Sequence, residues 1–309
     1  MRKILSLVLC IVLLMGLTGC HDAALEGGAA VSSDAQPDSS DAESNPSDAA
    51  PTEPTAWMKM ATYNVANCNG GKDLENIASY LVENKVDICG LQEIDINAKR
   101  SKGQDQPVEL AQKMTELSGT TYYWAFCYSL RDSSDRYSGA KQSQYGVAIV
   151  SRYPIVSTRR VQLWADGQTA QLQSLRGKTY EGRVLLIAEI NVEGKIFTVI
   201  NTHLDLHLDA RLKAVETIKN ELSQITTPVI LLGDLNCRVD SDEIKALSEV
   251  LCVTADVTSE EGPIPTYSST KPSSTIDWIF ISKNLWYKDL YVSQVQYSDH
   301  MPCVVSLGY

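Results

Sequence analysis

The chain has 309 residues, with 27 Lys and Arg against 38 Asp and Glu and a net charge of −11 at pH 7. That balance lacks the basic footprint of a protein that grips nucleic acid tightly by its phosphates, although a nuclease needs only a local cationic groove and metal ions. The eight cysteines show no Cys-x-x-Cys spacing and no Cys/His cluster, which argues against a zinc site.

Met1 to Cys20 opens with Arg2 and Lys3, runs apolar from Ile4 to Leu17, and closes on Leu17-Thr18-Gly19-Cys20. This is the layout of an export signal, too short and too early for a spanning helix of the mature protein. Its close resembles the lipobox of bacterial lipoproteins. That resemblance implies cleavage before Cys20, acylation of its sulfur, and a folded part held at a membrane outside the cytoplasm. Residues 21–56 carry eight acids with no Lys, Arg or aromatic residue, so they cannot bury enough apolar surface to offset their chain entropy. They read as an extended, self-repelling tether. Setting aside the tether's −8 and the signal's +2 leaves −5 for the domain, residues 57–309. Beyond Cys10 and Cys20, the six remaining cysteines lie mostly in apolar strand-like runs and read as small buried side chains, with one or two disulfides left open.

Met58 to Val65 is predicted as a strand, Asp73 to Asn84 as a helix with Leu74, Ile77, Ala78, Leu81 and Val82 on one face, and Val86 to Ile94 as the next strand. A second helix is predicted from Pro107 to Leu117, with proline where no amide hydrogen is needed. Strands follow at Tyr122–Leu130, Tyr145–Ser151 and Thr158–Trp164, and Gly182–Asn191 and Lys195–Leu204 form a hairpin about Val192-Glu193-Gly194. Asp209 to Gln224 is helical. Val229 to Leu232 has no polar alternation and reads as a strand buried on both faces. Ser241 is placed to cap a short helix that starts with Asp242 and Glu243. Ile276–Ser282, Leu290–Tyr297 and Cys303–Leu307 complete the strands. Arg131–Gln144 and Asp166–Glu181 lack an apolar period and read as surface loops. The order suits two mixed or antiparallel sheets with helices on the outer faces, in one domain.

Six of these strands carry a carboxylate, amide or imidazole at one end: Thr62-Tyr63-Asn64, Leu91-Gln92-Glu93, Asn201-Thr202-His203, Gly233-Asp234-Leu235-Asn236, Thr275-Ile276-Asp277 and Ser298-Asp299-His300. Each alone has a bland reading as a turn former or a solvated end. Together they describe one convergent polar site on an apolar scaffold. Period-two alternation predicts that Asp234 and Asn236 point the same way.

The series resembles the endonuclease/exonuclease/phosphatase superfamily, the deoxyribonuclease I-like fold, from about Met58 to the C-terminus. The resemblance implies a four-layer α/β/β/α sandwich and hydrolysis of a phosphate ester with Mg²⁺ or Mn²⁺. It implies Glu93 as the first metal ligand, with Asn64 beside it and Asp299 as a second, an oxygen set that suits a hard cation. By the same resemblance Asp234 orients or deprotonates the attacking water, Asn236 donates to the phosphate, Asp277 holds His300 as an imidazolium, and His203 contacts the phosphate or protonates the leaving oxygen. Arg211 fits the superfamily pattern, and Arg100 lies in a stretch like that of the bacterial secreted and sphingomyelinase-like branches; Arg131, read from the residues alone, either meets a substrate phosphate or stands in a solvated loop. The resulting expectation is a monomeric, lipid-anchored phosphodiesterase acting on a phospholipid head group or another organic phosphodiester. A secreted nuclease acting on DNA or RNA, and an inert binding lipoprotein, are the alternatives.

Overall fold

The computed structural model describes residues 53–163, 180–255 and 262–309. The predicted signal, the tether as far as residue 52 and nearly all of the loop expected over Asp166–Glu181 lie outside the described residues.

Twelve strands form two six-stranded sheets. In the first the order is β11 (Trp286–Val292), β12 (Cys303–Gly308), β1 (Trp57–Asn64), β2 (Ile88–Ile96), β4 (Ser143–Ser151), β3 (Tyr123–Asp132). In the second it is β5 (Ile155–Gln162), β6 (Val184–Val192), β7 (Lys195–His203), β8 (Val229–Asp234), β10 (Asp277–Ile281), β9 (Cys252–Val253). β1 runs parallel to β2 and β7 parallel to β8, and the other pairings are antiparallel.

Side-chain alternation on these strands feeds three apolar layers. Met58, Met60 and Ile88 from the first sheet meet Val199, Ile230, Leu232 and Ile279 from the second in the central layer. The opposite faces are covered by helices. Ile77 and Leu81 of helix Leu74–Glu83, with Leu110 and Met114 of helix Gln106–Ser118, pack on Ala61, Tyr63 and Leu91. Ala214 and Ile218 of helix Leu208–Leu222, with Ile244 and Leu247 of helix Asp242–Ser248, pack on Leu231 and Phe280. Two helical layers enclosing two facing sheets make the α/β/β/α sandwich that the sequence implied.

The predicted Ser241 cap is present, its hydroxyl accepting from the Ile244 amide at 3.3 Å. Two elements were illegible in the sequence. β9 has two residues, too few to show a period, and Ala66–Gly71 is a left-handed turn whose first five residues have φ between 43° and 65°. β11 also begins earlier than predicted, because Trp286 and Tyr287 pair with Gly308 and Leu307, and the irregularity before Tyr291, where Asp289 has φ 53°, breaks the alternation. Cys68, Cys89, Cys127, Cys237 and Cys303 are free thiols, all buried.

A candidate active site between the sheets

The alternation that fills the central layer also aims the polar strand ends. On β1, Met58 and Met60 face the other sheet, and so does Asn64 two pairs further on. On β8, Ile230 and Leu232 set the same direction for Asp234, on β7 Phe197 and Val199 set it for His203, and on β10 Ile279 and Ile281 set it for Asp277.

Glu93 needs a further device. Strict alternation after Ile88 and Gln92 would turn it toward the helices. A bulge between Gln92 and Ile94 shifts the pairing with β4, Glu93 takes a left-handed φ of 60°, and Ile94 goes to the helical side in its place. The strain of that backbone is offset by surrounding packing and brings the carboxylate to the gap between the sheets. Gly233 is required by close approach, since a Cβ there would lie 2.1 Å from the Thr202 carbonyl oxygen on the neighbouring strand.

The ends converge on one amide. Asn64 Nδ2 donates to Glu93 Oε1 at 3.1 Å and to Asp234 Oδ2 at 3.0 Å, and lies 3.5 Å from His300 Nε2. Residues 64, 93, 234 and 300 therefore share one locus. Asn64 arrives as a donor, its Oδ1 accepting from the Ala66 amide at 3.1 Å, whereas the sequence reading made it a metal ligand. Asp277 Oδ2 is 2.8 Å from His300 Nδ1, and His300 Nε2 is 3.6 Å from Asp234 Oδ2. Ser298 ties the ring's backbone to β1, its hydroxyl donating to the Asn64 carbonyl at 2.7 Å, and the Tyr267 ring stands 4.8 Å from the His300 ring.

Burial alone would push the His300 imidazole down, but Asp277, by charge and hydrogen bond, and Asp234 behind it hold it up at about 10. The ring is thus an imidazolium at neutral pH. Asp234 is raised to about 7, first by burial and then by the negative charge of Asp277, against the pull of His300 and Asn64. A carboxylate so placed can accept a proton from water near neutrality.

His203 is the opposite case. Its Nε2 is 3.0 Å from Asn236 Nδ2 and 3.4 Å from Asp234 Oδ2. Asn236 Nδ2 also donates to the Leu204 carbonyl at 2.9 Å, which identifies that atom as the nitrogen. Its second hydrogen goes to His203 Nε2, so Nε2 accepts and the ring is neutral. Burial and then the nearby Arg183 guanidinium hold the His203 pKa well below its ordinary value. This corrects two expectations. A neutral ring with Nε2 as acceptor is no proton donor to a leaving oxygen, and Asn236, both amide hydrogens engaged, has only Oδ1 for a further partner. Asn236 also reaches the site through a left-handed turn (φ 51°) in which its amide donates to Asp234 Oδ1, not through strand alternation.

Arg100 is held by a two-pronged pair with buried Asp95, at 2.8 and 2.7 Å, and Glu93 is among the charges that raise its pKa. Arg211 is not available to substrate. Its Nε donates to buried Glu243 at 2.5 Å and its Nη1 to the Leu206 carbonyl at 2.6 Å, fastening the segment after His203. Arg131 lies over the Tyr128 ring, 3.6 Å from its centre, on the outermost strand and two strands away from β2. Asp299 is exposed on the rim, its Oδ1 3.3 Å from the Ser298 hydroxyl oxygen. Gln92 and Asn201, polar strand ends in the sequence, join the sheets to each other: Gln92 Nε2 donates to Asn201 Oδ1 at 2.7 Å, and Asn201 Nδ2 donates to the Leu91 and Ala148 carbonyls. Arg183 was missed, although a lone cation leading an apolar strand was a usable signal.

Asp234, Asp277 and His300 offer ligand atoms within 4.8 Å of one another, but the His300 and Asp277 atoms already face each other. The donor chemistry nonetheless fits a hard divalent cation. Glu93, Asp234, Asp277 and Asp299 gather at one end of the sandwich about the His300 imidazolium, and all offer oxygen.

The family model described as Endonuclease/Exonuclease/phosphatase family matches residues 61–300. An endonuclease/exonuclease/phosphatase from Beutenbergia cavernae has TM-score 0.64 and 21% identity, over 82% of this chain and 71% of that one. The Bacteroides thetaiotaomicron mannosyl-6-phosphatase has TM-score 0.58 and 20% identity, over 82% of this chain and all of that one. The human Nocturnin catalytic domain has TM-score 0.57 and 17% identity, over 82% and 93%. No curated protein matches the chain.

Proposed function

From the premise that the chain belongs to the Endonuclease/Exonuclease/phosphatase family, we propose that it is a divalent-metal-dependent phosphodiesterase. Its substrate is a phospholipid head group or another organic phosphodiester, reached outside the cytoplasm by a domain tethered through Cys20 and residues 21–56. The observation that carries the reading is the convergence of Glu93, Asp234 and His300 on the Asn64 amide.

Glu93, with Asp299 on the rim, would hold Mg²⁺ or Mn²⁺, which would supply positive charge to the phosphate oxygens, while the Asn64 amide fixes the Glu93 and Asp234 carboxylates. Asp234 takes a proton from the attacking water, and the Asn236 carbonyl oxygen orients that water. The His300 imidazolium, steadied by Asp277, stabilises the negative charge that builds on the phosphoryl group. Neutral His203 holds the Asn236 amide, and Arg100, fixed by Asp95, meets the anionic substrate from the rim. The mannosyl-6-phosphatase neighbour supports a monoester as the second reading.

The test is hydrolysis of bis-p-nitrophenyl phosphate, p-nitrophenyl phosphate, sphingomyelin and plasmid DNA by the full chain, with Mg²⁺ and then with EDTA. Metal-dependent cleavage of the diester ahead of DNA is the expected result; DNA cleavage alone would make it a nuclease, and inertness toward all four would make it a binding protein.

A further inference from the structure

The two imidazoles of the site each have exposed apolar company. Three residues after His203 stands Leu206, 72% exposed and the most exposed large apolar side chain among the described residues. Leu208 and Leu212 follow, both exposed and four residues apart, so they share one face of helix Leu208–Leu222. On the His300 side, the Tyr267 ring that stands against that imidazole is itself exposed, as is Ile264 before it.

Single exposed leucines are ordinary, but this rim is fixed in place. Buried Asp205 accepts from the His207 amide at 2.8 Å and from the Glu181 amide at 2.8 Å. The Leu206 carbonyl accepts from Arg211 Nη1 at 2.6 Å, and Arg211 is clamped in turn by Glu243. The backbone about Leu206 is thus tied on both sides while its side chain stands in water. Opposite, the Met301 amide donates to the Thr266 carbonyl at 2.8 Å and the Tyr267 amide to the Ser274 carbonyl at 3.0 Å. A rigid apolar rim meets an apolar partner with little ordering cost, and exposed apolar groups clustered about a site mark such a partner.

The chain itself points to which partner. Trp57, where the chain enters β1, and Asn64 are at opposite ends of that strand, about 23 Å apart at about 3.3 Å per residue. The 32 residues from 21 to 52 reach about 30 Å even as a random coil, so an anchor at Cys20 leaves the site free to turn onto its own membrane. Aliphatic side chains with a tyrosine suit the boundary between head groups and acyl chains, and the charge of −5 over residues 57–309 makes apolar contact, not attraction to anionic lipid, the driving force.

We propose that the rim formed by Leu206, Leu208 and Leu212, with Ile264 and Tyr267, is a docking surface for a lipid bilayer, which it enters with the catalytic cleft turned toward the head groups. The assignment rests on the phosphodiesterase reading and adds that the ester is presented at a membrane surface.

The test is sedimentation with phosphatidylcholine vesicles of the chain from residue 21, which lacks the anchor and keeps all twelve strands and their covering helices. The parent should pellet with the vesicles and stay bound in about 1 M NaCl, where charges are screened within about 3 Å. Leu206→Ser and Leu208→Ser should each weaken binding about five- to tenfold, the loss of most of one leucine side chain from the apolar contact, with turnover of bis-p-nitrophenyl phosphate in solution unchanged. Trp124→Ser is the control: Trp124 is also exposed but pairs with Val150 at the end of the sandwich away from the site, and its loss should leave binding as it was. No binding by the parent, binding unchanged in both leucine variants, or release by Trp124→Ser in their place overturns the docking surface. A dimer of the parent that Leu206→Ser breaks, read by sedimentation equilibrium without vesicles, assigns the rim to a second copy instead. Because binding is read without turnover, a chain that binds vesicles through the leucines but leaves bis-p-nitrophenyl phosphate intact would defeat the phosphodiesterase reading and keep the surface.

Discussion

His203 and His300 are both buried and both within 3.6 Å of Asp234 Oδ2, yet the fold drives them to opposite states. Burial pushes both imidazoles toward neutrality. Asp277 at 2.8 Å reverses that for His300 and keeps its proton to about pH 10, whereas Arg183 adds to it for His203. One ring is therefore a cation between Asp277 and Asp234 and the other a neutral acceptor that orients Asn236. The residue type sets what a side chain can do, and the nearest charge decides which of those things it does.

Removing the shared partner breaks the comparison most severely. Asp234→Asn and His300→Ala should each lower kcat toward bis-p-nitrophenyl phosphate by about a hundredfold or more; Asp234→Asn should melt near the parent, and His300→Ala below it, because it leaves the Asp277 carboxylate buried without its cation. Near-normal rates in both variants would end the role assignment. Asp277→Asn tests the His300 arm alone. It removes the largest contribution holding the imidazolium, so the alkaline fall in activity should move from near pH 10 down toward the ordinary histidine range near 6.5, a shift of about a unit or more in the pH–rate profile. An unmoved alkaline limb would dissociate His300 from that ionisation.

Arg183→Met tests the other arm and runs in the opposite direction. Without the guanidinium His203 protonates more readily, so activity should fall on the acid side at higher pH than in the parent, and Arg183→Lys should restore the parent profile. The smallest catalytic effect belongs to Arg211→Ala, with kcat/KM within about threefold of the parent. It leaves the Glu243 carboxylate buried without its cation, so its signature is instead a stability loss of about 3 kcal/mol by urea unfolding. A large catalytic loss at unchanged stability would return Arg211 to the substrate.

Much of this was legible in the chain. Apolar runs of strand length and one-face helices announced the layers, and polar residues at six strand ends announced a site, because both follow from periods of two and 3.6 residues. The periods could not separate polar ends that face substrate from those that join the sheets. Gln92 and Glu93 are neighbours in sequence, but a bulge sends one to Asn201 and the other to Asn64. Arg211 fitted a motif, and only packing shows its guanidinium engaged by Glu243 and the Leu206 carbonyl.

Side-chain chemistry and alternation, both local properties, were thus enough to determine that this protein is a layered sandwich with carboxylates, amides and imidazoles gathered at one end. Which imidazole carries a proton, which end of each amide faces inward and what lies beside the phosphate depend on distances of about 3 Å between residues as far apart as 64 and 300. Electrostatic and hydrogen-bond energies change steeply over such distances, so those choices were made only when the two sheets closed on one another.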